Sequence, residues 1–388
     1  MFGTSVLELS ESALKQNLQF LRKVIGPQVR LSSVVKGFAY GHGFAAFVPL
    51  AEKCGINHFS VFSAEEAMKV VRARTRDSDV MIMGSITEEE VAWAIENGVS
   101  FYVFDQHRLE TALRTARQLQ LPARIHLELE TGMNRLGFEE SDLPAVAATL
   151  QEAAHDITLE GVCTHYAGAE SIGNYVRVQQ QIARFNELCG LLERAGVQIA
   201  CRHTASSAAT LTYPETHMEM VRVGIAQYGY WPSQETRMHF LLRNGGMEYQ
   251  PRVEPLRRVL RWRSRVMGIK VVEPGEFVGY GTSFLTERKS RFAAVPVGYS
   301  SGFNRNLSNH GHVLIGGRRA PVAGIVNMNM LMADITDIPG VHAGDEVVLI
   351  GKQKRGEISV GAFSDLTRFL NYEVLARLSQ DIRREVVK

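Results

Sequence analysis

Residues 79–104 read DVMIMGSITEEEVAWAIENGVSFYVF, an apolar stretch, a stretch with helical spacing and a second apolar stretch. A strand, a helix and a second strand in this order are typical of parallel sheets. The same alternation recurs on both sides of this segment. It predicts further strands and helices, with strands at 31–36, 58–62, 79–83, 99–104, 124–129, 158–163, 199–203 and 219–223 and helices at 64–74, 87–97 and 174–195.

About eight strand–helix units in roughly 200–250 residues are typical of a (β/α)8 barrel. A doubly wound open sheet tolerates the same alternation and is the alternative. The number of units and the position of reactive side chains at strand ends favour the barrel. The predicted fold class is therefore α/β, a (β/α)8 TIM barrel followed by a mainly β C-terminal domain.

The pattern changes after Trp231-Pro232. Residues 253–350 contain short apolar runs separated by Gly and Pro, and no long helical pattern returns until about residue 362. We predict a barrel over residues 1–240 and a mainly β domain over residues 241–388.

The amino-terminal residues are predicted to run straight into an amphipathic helix. Its apolar residues recur at helical spacing from Leu14 to Ile25. Ser10 or Ser12 supplies the cap, and Gly26-Pro27 ends the helix.

Composition excludes several classes of protein. Of the 388 residues 45% are hydrophobic, and 43 basic against 41 acidic residues give a net charge of +2. A chain of this length and apolar content can bury a full core. Its balanced charge offers no basic field to a phosphate backbone or to anionic lipid. We therefore predict a globular protein without a nucleic-acid or membrane partner.

The cysteines and the apolar runs restrict the class further. Cys54, Cys163, Cys189 and Cys201 are far apart and form no CxxC pair, and no histidines cluster at metal-ligand spacing. Disulfide scaffolds and zinc ribbons are thereby excluded, and no metal is predicted. No apolar stretch approaches the ~20 residues of a membrane span, and the amino terminus lacks the pattern of a secretion signal. A cytoplasmic location is predicted.

Two short motifs point to other functions but fail in context. Residues 41–46, GHGFAA, match a dinucleotide fingerprint, yet that interpretation leaves Lys36 unexplained at the end of an apolar strand. Residues 298–302, GYSSG, match a nucleophile elbow, which needs a helix directly after the serine. The turn-rich residues 303–311 do not begin one.

Reactive side chains follow several of the predicted barrel strands, and the carboxyl ends of parallel strands meet at the rim that holds the active site of a barrel. Each residue singly has a structural explanation, such as a solvated lysine or half of an ion pair. The loops after the last two barrel strands commonly bind phosphate, and Ser207, Gly224 and Ile225 are predicted to lie in these loops. A lysine across the rim from such a site indicates a Schiff base to pyridoxal phosphate. The residues at this rim are Lys36, Tyr40, Arg135, His165, His203, Ser207, Arg222, Gly224 and Ile225.

A series of longer segments, together covering nearly the whole chain, resembles the alanine racemase family. The segments occur in the family's order, which is far more specific than any single motif. They are SSVVKGFAYGHG around Lys36, TGMNRLGF (131–138), THYAGAE (164–170), HTASSAATL (203–211), RVGIAQYGYWP (222–232), VGYGTSF (278–284), VPVGYSSGF (295–303) and NYEV (371–374). The resemblance implies a barrel that binds pyridoxal 5'-phosphate, a β domain and a head-to-tail homodimer whose subunits share active sites.

The same resemblance implies roles for individual residues. Lys36 carries the cofactor and then serves as one acid/base, and Tyr280 of the other subunit serves as the second. Removal of a proton on one face of Cα and delivery on the other is done most simply by two opposed groups. His165, Arg222 and His203 are similar to a hydrogen-bonded chain behind Tyr280. Arg222 faces the pyridine nitrogen and keeps it unprotonated, because a guanidinium does not readily lose its proton.

Binding roles are implied as well. The cofactor phosphate is held by Tyr40, Ser207, Gly224, Ile225 and Tyr372. The substrate carboxylate is held by Arg135, whose fork of donors suits a carboxylate, and by the backbone of Met328. Tyr299 and Arg305 are expected to support the site.

This sequence departs from the family pattern at several positions. Glu128 stands where the family frequently has a lysine that is carbamylated and therefore anionic. A glutamate keeps the negative charge beside Arg135 without the bicarbonate that carbamylation requires. Three further segments differ, namely Gly37-Phe38, Ser300-Ser301 and Asn327-Met328-Asn329. These changes leave the cofactor chemistry intact and put a strict preference for alanine in doubt.

The leading hypothesis is a racemase that interconverts L- and D-alanine by a two-base mechanism and supplies D-alanine for cell-wall peptide. One alternative is a racemase for other amino acids, such as serine or a basic one. An amino-acid decarboxylase is less consistent with Arg222 at the pyridine nitrogen. The alternative from another class is a non-catalytic protein that carries pyridoxal phosphate.

Overall fold

The computed structural model describes residues 3–243 and 254–388. Within them the strands, numbered β1–β18 in chain order, are Ser5–Ser10, Arg30–Val34, His58–Ser63, Asp79–Ser85, Ser100–Val103, Ala123–Glu128, Ile157–Cys163, Arg202–His203, Met220–Val223, Leu260–Arg265, Gly268–Val272, Ser290–Val295, His312–Ile315, Arg318–Ala323, Leu331–Asp334, Glu346–Gln353, Gly356–Ile358 and Arg383–Val387.

The α-helices connect or flank these strands, and short 3-10 turns occur at five places in the described residues. The helices are Glu11–Ile25, Phe44–Lys53, Ala64–Ala73, Glu88–Glu96, Gln106–Leu119, Leu143–Glu152, Tyr175–Arg194, Ser207–Thr212, Gln234–Arg243, Val360–Thr367 and Asn371–Ala376. The predicted helices at 64–74, 87–97 and 174–195 are confirmed to within a residue or two.

Strands β2–β9 form one parallel sheet in the order β8-β7-β6-β5-β4-β3-β2-β9. Their side chains are buried on both faces, as in β5 with its four buried residues, because helices cover the outside. The two ends of this order, β8 and β9, are joined where the Arg222 amide of β9 donates to the carbonyl of Ala205, just after β8, at 2.9 Å. Neighbours along the chain are mostly neighbours in the sheet, so the barrel is confirmed over the open sheet.

The helix caps agree with the sequence pattern. Thr87 caps the helix Glu88–Glu96, and the Glu90 side chain accepts the Thr87 amide at 2.7 Å in return. Such a capping box satisfies two helix-end donors at once. At the amino terminus Ser10 Oγ accepts the Ala13 amide at 3.2 Å, so Ser10 acts as the cap of the helix Glu11–Ile25.

The expectation that the amino-terminal residues run directly into this helix is wrong. Residues Ser5–Ser10 form β1, which pairs antiparallel with β10 and parallel with β18. Leu7 and Leu9 are fully buried in this sheet. The physical reason is that both partners lie in the last third of the chain, so no local pattern announces the pairing.

The mainly β domain is confirmed as a sheet in the order β11-β12-β15-β14-β13-β16-β10-β1-β18, with β17 beside β16. The described residues form two compact units. One holds those of Leu14–Lys36 and Val48–Arg257, and the other holds those up to Ala13, Gly37–Phe47 and Arg258–Lys388. The domain boundary after residue 240 stays a prediction.

Candidate active site

Lys36 lies just beyond the carboxyl end of β2, at the mouth of the barrel. Its side chain is exposed there, yet the surrounding protein lowers the pKa of the amine, mainly by desolvation and further through the charges of Arg135 and Arg222. Glu66 opposes this effect. An amine with a lowered pKa is more often neutral and therefore nucleophilic.

Arg222 is buried at the same rim, and its guanidinium is tightly held. One terminal nitrogen donates to His203 Nδ1 at 2.7 Å and to the His203 carbonyl. The other donates to the carbonyls of Thr164 at 2.9 Å and Thr204 at 3.2 Å. These bonds account for the four terminal N–H groups. No acceptor faces Nε among the described residues.

His203 lies in β8 and contacts a second histidine that sequence analysis missed. Its Nε2 lies 2.9 Å from Nδ1 of His126, which lies in β6. His126 precedes Glu128 by two residues, so both project to the same face of β6. A polar residue at alternate spacing within an apolar strand was the available signal.

His165 follows β7 by two residues and is part of the same cluster. Burial, and then the charges of Arg222, Arg135 and Lys36, lower its pKa to about 3. The imidazole is therefore neutral near neutral pH, where one ring nitrogen donates a hydrogen bond and the other accepts one.

Arg135 is carried by the loop after β6 that spans residues 131–137. Glu130 organises this loop, because its carboxylate accepts the amides of Gly132 at 2.5 Å and Arg135 at 3.3 Å. The Arg135 guanidinium lies 3.7 Å from the buried Glu128 carboxylate and is itself half exposed. Burial raises the pKa of Glu128, and the charges of Arg135 and Arg222 oppose this.

Ser207, Gly224 and Ile225 come together beyond β8 and β9. Ser207 Oγ accepts the Gly224 amide at 2.9 Å and the Ala226 amide at 3.4 Å, which leaves its own proton free to donate outward. No acceptor faces the Ile225 amide among the described residues. An unpaired amide on a residue that is 1% exposed is unusual, and together with the serine it offers donors to an anion.

The segment after Lys36 has a left-handed backbone. Gly37, Phe38, Ala39 and Tyr40 all have φ between 50° and 63°. For residues other than glycine this geometry costs roughly 1–2 kcal/mol each, so surrounding contacts must hold it. The Gly43 amide donates back to the Phe38 carbonyl at 2.9 Å.

Arg384, in β18, supplies further contacts to this turn. Its guanidinium lies over the Phe38 ring at 5.0 Å and donates to the Gly41 carbonyl at 2.9 Å. A Cβ on Gly41 would come within 2.0 Å of the Leu375 carbonyl, so only glycine fits there. Tyr40 and Tyr372, both predicted to bind phosphate, have ring centroids 6.0 Å apart.

Tyr280 lies in the segment 278–284, between two glycines with positive φ, Gly279 and Gly281. The Val278 amide donates to the Phe284 carbonyl at 2.9 Å, which closes the segment into a loop. The Tyr280 side chain is 72% exposed in the single chain. An exposed tyrosine on a constrained loop is available to a neighbouring molecule.

Met328, Tyr299 and Arg305 lie in one stretch of the mainly β unit. The Met328 carbonyl accepts the Ser300 amide at 3.0 Å, and the Tyr299 amide donates to the Asn327 carbonyl at 3.0 Å. Residues Tyr299–Ser301 and Arg305–Leu307 form 3-10 turns rather than the helix that a nucleophile elbow needs.

Two of the positions that depart from the family pattern are in direct contact. Ser300 Oγ lies 2.7 Å from both the Met328 carbonyl and Asn329 Oδ1. The side chains of Ser300 and Asn329 thus form an uncharged pair that joins two of the segments that differ from the family pattern.

Comparisons with known proteins agree over almost the whole chain. The family model "Alanine racemase, N-terminal domain" matches residues 9–232, and "Alanine racemase, C-terminal domain" matches residues 259–386. The chain belongs to the alanine racemase family. The alanine racemase of Leptospira interrogans is 35% identical over 384 residues, covering 99% of this chain and 96% of its own length.

Solved alanine racemases have the same fold. The enzyme from D-cycloserine producing Streptomyces lavendulae is 29% identical with a TM-score of 0.88, and the match covers 100% of this chain and 98% of that one. The Bacillus anthracis alanine racemase with bound L-Ala-P is also 29% identical, with a TM-score of 0.88 and coverage of 100% and 96%. Alanine racemases are isomerases that depend on pyridoxal phosphate, so the predicted family, enzyme class and cofactor are confirmed.

Three features of the described residues fit this cofactor of alanine racemases. Lys36 has an amine of lowered pKa for covalent attachment. Arg222 keeps one guanidinium donor, Nε, for the acceptor nitrogen of a pyridine ring. Ser207 and the Ile225 amide offer donors to a phosphate. The three features lie along one rim of the barrel because they follow strands of the same parallel sheet.

No helix among residues 3–243 and 254–388 combines the length and apolarity of a membrane span. In the same residues no three His, Cys, Asp or Glu side chains lie close enough together to hold a metal ion.

Proposed function

We propose that this protein interconverts L- and D-alanine by a two-base mechanism in which Lys36 and Tyr280 exchange the Cα proton. The observation that carries the proposal is the gathering of Lys36, His165, Arg222 and Ser207 at one barrel rim. There an amine of lowered pKa, a fixed guanidinium and donors suited to a phosphate occur together.

When bound, pyridoxal phosphate withdraws charge from the substrate Cα and makes its proton removable. Lys36 carries the cofactor until the substrate amine releases it, and its amine then takes or returns the proton on one face. The lowered pKa of Lys36 suits this role, because a base acts best when its pKa is close to the working pH.

Tyr280 handles the proton on the opposite face and comes from a second subunit in a head-to-tail homodimer. Its 72% exposure in the single chain supports this, since a buried tyrosine could not reach another subunit. His165, Arg222 and His203 form the polar surroundings that stabilise charge on this side of the reaction.

Substrate and cofactor are held by side chains suited to anions. Arg135 and the Met328 backbone bind the substrate carboxylate. Tyr40, Ser207, Gly224, Ile225 and Tyr372 bind the cofactor phosphate, while Tyr299 and Arg305 support the site. We place the enzyme in the cytoplasm, where D-alanine is supplied for cell-wall peptide.

The uncharged pair of Ser300 and Asn329 favours a second candidate, a racemase with a broader range that includes serine. A panel of single enantiomers separates the two candidates. We expect turnover of alanine to exceed that of every other amino acid in a chiral product assay. Serine turnover equal to that of alanine would establish the broader function.

Replacement of Tyr280 tests the two-base mechanism. In Tyr280→Phe we expect racemisation to be lost while α-deuterium exchange continues from one enantiomer only, because Lys36 still serves one face. Tyr175→Phe is the matched control, since Tyr175 is also exposed but lies on the outer helix Tyr175–Arg194. Equal exchange from both enantiomers in Tyr280→Phe would contradict the role of Tyr280.

A further inference from the structure

A chain of polar side chains crosses the interior of the barrel behind Arg222. Arg222 contacts His203 at 2.7 Å, His203 contacts His126 at 2.9 Å, and His126 Nε2 lies 3.2 Å from Ser100 Oγ. All four residues are at most 5% exposed. Ser100 Oγ in turn lies 3.4 Å from the Val80 carbonyl, where the chain ends on the backbone.

The direction of every hydrogen bond in this chain is fixed by its two ends. A guanidinium can only donate, so His203 Nδ1 accepts and the His203 proton sits on Nε2. His203 Nε2–H therefore donates to His126 Nδ1, which places the proton of His126 on Nε2. That nitrogen donates to Ser100 Oγ, and the serine hydroxyl donates to the Val80 carbonyl, which can only accept.

Gly161, in the neighbouring strand β7, makes room for the two imidazoles. A Cβ at this position would come within 2.9 Å of His126 Nδ1, 3.2 Å of His203 Cδ2 and 2.8 Å of the Cys201 carbonyl. Real Cβ atoms do not approach this closely to backbone atoms. The strand thus carries glycine at a position where a side chain would press against both histidines.

Both imidazoles are neutral in their surroundings. Burial lowers the pKa of His203 and His126 well below the ordinary range. The charges of Arg222 and His58 lower both pKa values further, and those of Arg124 and Arg30 lower the pKa of His126. A protonated His203 would also place a donor against the Arg222 guanidinium. The neutral forms keep the chain intact and keep its direction.

We propose that His126 is a positioning residue: by accepting the Nε2–H of His203 it holds this imidazole with Nδ1 toward Arg222, and it thereby fixes the Arg222 guanidinium with Nε, rather than a terminal nitrogen, offered to the cofactor ring. This inference rests on the proposed function, because it assigns Arg222 to the pyridine nitrogen. Without His126 the Nε2–H of His203 has no acceptor, and a buried donor without a partner is unfavourable. His203 and Arg222 would then rearrange together.

The first test measures the tautomer of His203 without any turnover. Long-range nitrogen–proton NMR of the cofactor-free protein, labelled at histidine, distinguishes a protonated from an unprotonated ring nitrogen. We expect native His203 to be unprotonated at Nδ1 and protonated at Nε2. His126→Leu, similar in size but without nitrogens, should change this pattern. His126→Asn should restore it, because Oδ1 stands in for the Nδ1 acceptor.

The matched control is His58→Leu. His58 is a buried barrel histidine bonded to Ser32 at 2.8 Å and has no hydrogen bond to Arg222 or His203. This variant should leave the His203 signals unchanged. Gly161→Ala perturbs the same histidine pair independently, because its Cβ presses against both rings. It should change the His203 signals in the way expected for His126→Leu, and it keeps the test usable if His126→Leu does not fold.

The second test uses the holoenzyme with alanine. A displaced Arg222 should allow the ring nitrogen to be protonated, which favours transfer of the substrate amino group to the cofactor and release of pyruvate. We expect His126→Leu to lose at least roughly tenfold in kcat and to release several times more pyruvate per racemisation. His126→Asn should recover most of both losses, and His58→Leu should show neither.

Unchanged His203 signals in both His126→Leu and Gly161→Ala would overturn the inference, as would the same changes in His58→Leu. A native protein that binds pyridoxal phosphate but turns over no amino acid would contradict the proposed function instead. In that case the NMR measurement still decides whether His126 sets the His203 tautomer.

Discussion

Glu128 shows how one buried carboxylate sets the conditions for substrate binding. Burial raises its pKa, so it gains a proton at a higher pH than an exposed glutamate does, and its charge beside Arg135 is lost as the pH falls. We expect the KM for alanine to rise about two- to fivefold toward acid pH, as for a half-exposed ion pair. KM measured against pH tests this.

Glu128→Gln is the control for this prediction, because it removes the titration and keeps the shape. The KM of Glu128→Gln for alanine should be raised at every pH and should no longer change as the pH falls. Bicarbonate should leave the native enzyme unchanged, since Glu128 needs no carbamylation. A native KM profile that persists in Glu128→Gln would show that another group titrates.

Lys36 allows a direct test of covalent cofactor binding. Lys36→Ala should abolish racemisation and the visible absorbance of attached pyridoxal phosphate, because no other described amine is placed at this rim by a barrel strand. Lys69→Ala serves as control, since Lys69 lies on the outer helix Ala64–Ala73 and pairs with Glu65 at 2.6 Å. Turnover retained by Lys36→Ala would contradict the assignment.

Individual residues differed in how well the sequence predicted them. The sequence predicted Lys36, Ser207 and Arg222 as site residues because they follow or end apolar strands. In a barrel the carboxyl ends of the strands hold the active site, so a polar side chain there indicates a role in it. His126 was missed because an interior histidine looks like an ordinary core residue until its partner is known. His203 is 77 positions away along the chain, and only the closed barrel brings the two together.

Among the elements, the left-handed turn Gly37–Tyr40 depends on contacts rather than on local preference. Three of its residues carry a Cβ in a region that disfavours it. Arg384 contributes a cation–π contact to Phe38 and a charged hydrogen bond to the Gly41 carbonyl. Together these are worth about 2–4 kcal/mol, which offsets much of the backbone cost.

Arg384→Met should therefore loosen this turn. We expect amide hydrogen exchange at Gly43 to accelerate at least roughly tenfold and the affinity for pyridoxal phosphate to fall, because Tyr40 belongs to the turn. Arg377→Met is a matched control, since Arg377 also lies over a ring, that of Phe369 at 4.5 Å, on another element. Equal acceleration at Gly43 in both variants would contradict a local role for Arg384.

The sequence predicted the barrel elements well and the strand β1 not at all. Alternation of apolar strands and helices is a local signal, and each barrel strand lies beside one that is near in the chain. Residues Ser5–Ser10 lack such a neighbour, and the helix cap at Ser10 is the stronger local signal. The left-handed turn was likewise invisible, because its supports come from β18 and the helix Asn371–Ala376.

At the scale of the whole molecule, the proposed sharing of active sites predicts complementation between two inactive variants. In a mixed dimer of Lys36→Ala and Tyr280→Phe, one site carries both changes and the other carries neither. After dissociation and reassembly of an equal mixture, half of the dimers are mixed, so about one quarter of the native activity should return.

Sedimentation velocity on each pure variant checks that both form dimers, and each alone should stay inactive. A mixture of Lys36→Ala with itself, taken through the same reassembly, is the control for recovered activity. Dimeric variants that reassemble without any recovery would show that Lys36 and Tyr280 of different chains do not act in one site.

The pairing of β1 has a consequence for how the chain is made. Leu7 lies beside Trp262 on one side and Arg384 on the other, so β1 is synthesised well before either of its partner strands and must wait for them. At roughly 5–20 residues per second this delay lasts on the order of 20–75 s. During that time the edges of β1 are unpaired, and Leu7 and Leu9, which are buried in the folded protein, are exposed. We therefore expect a high yield of folded protein to require chaperones that bind the nascent chain.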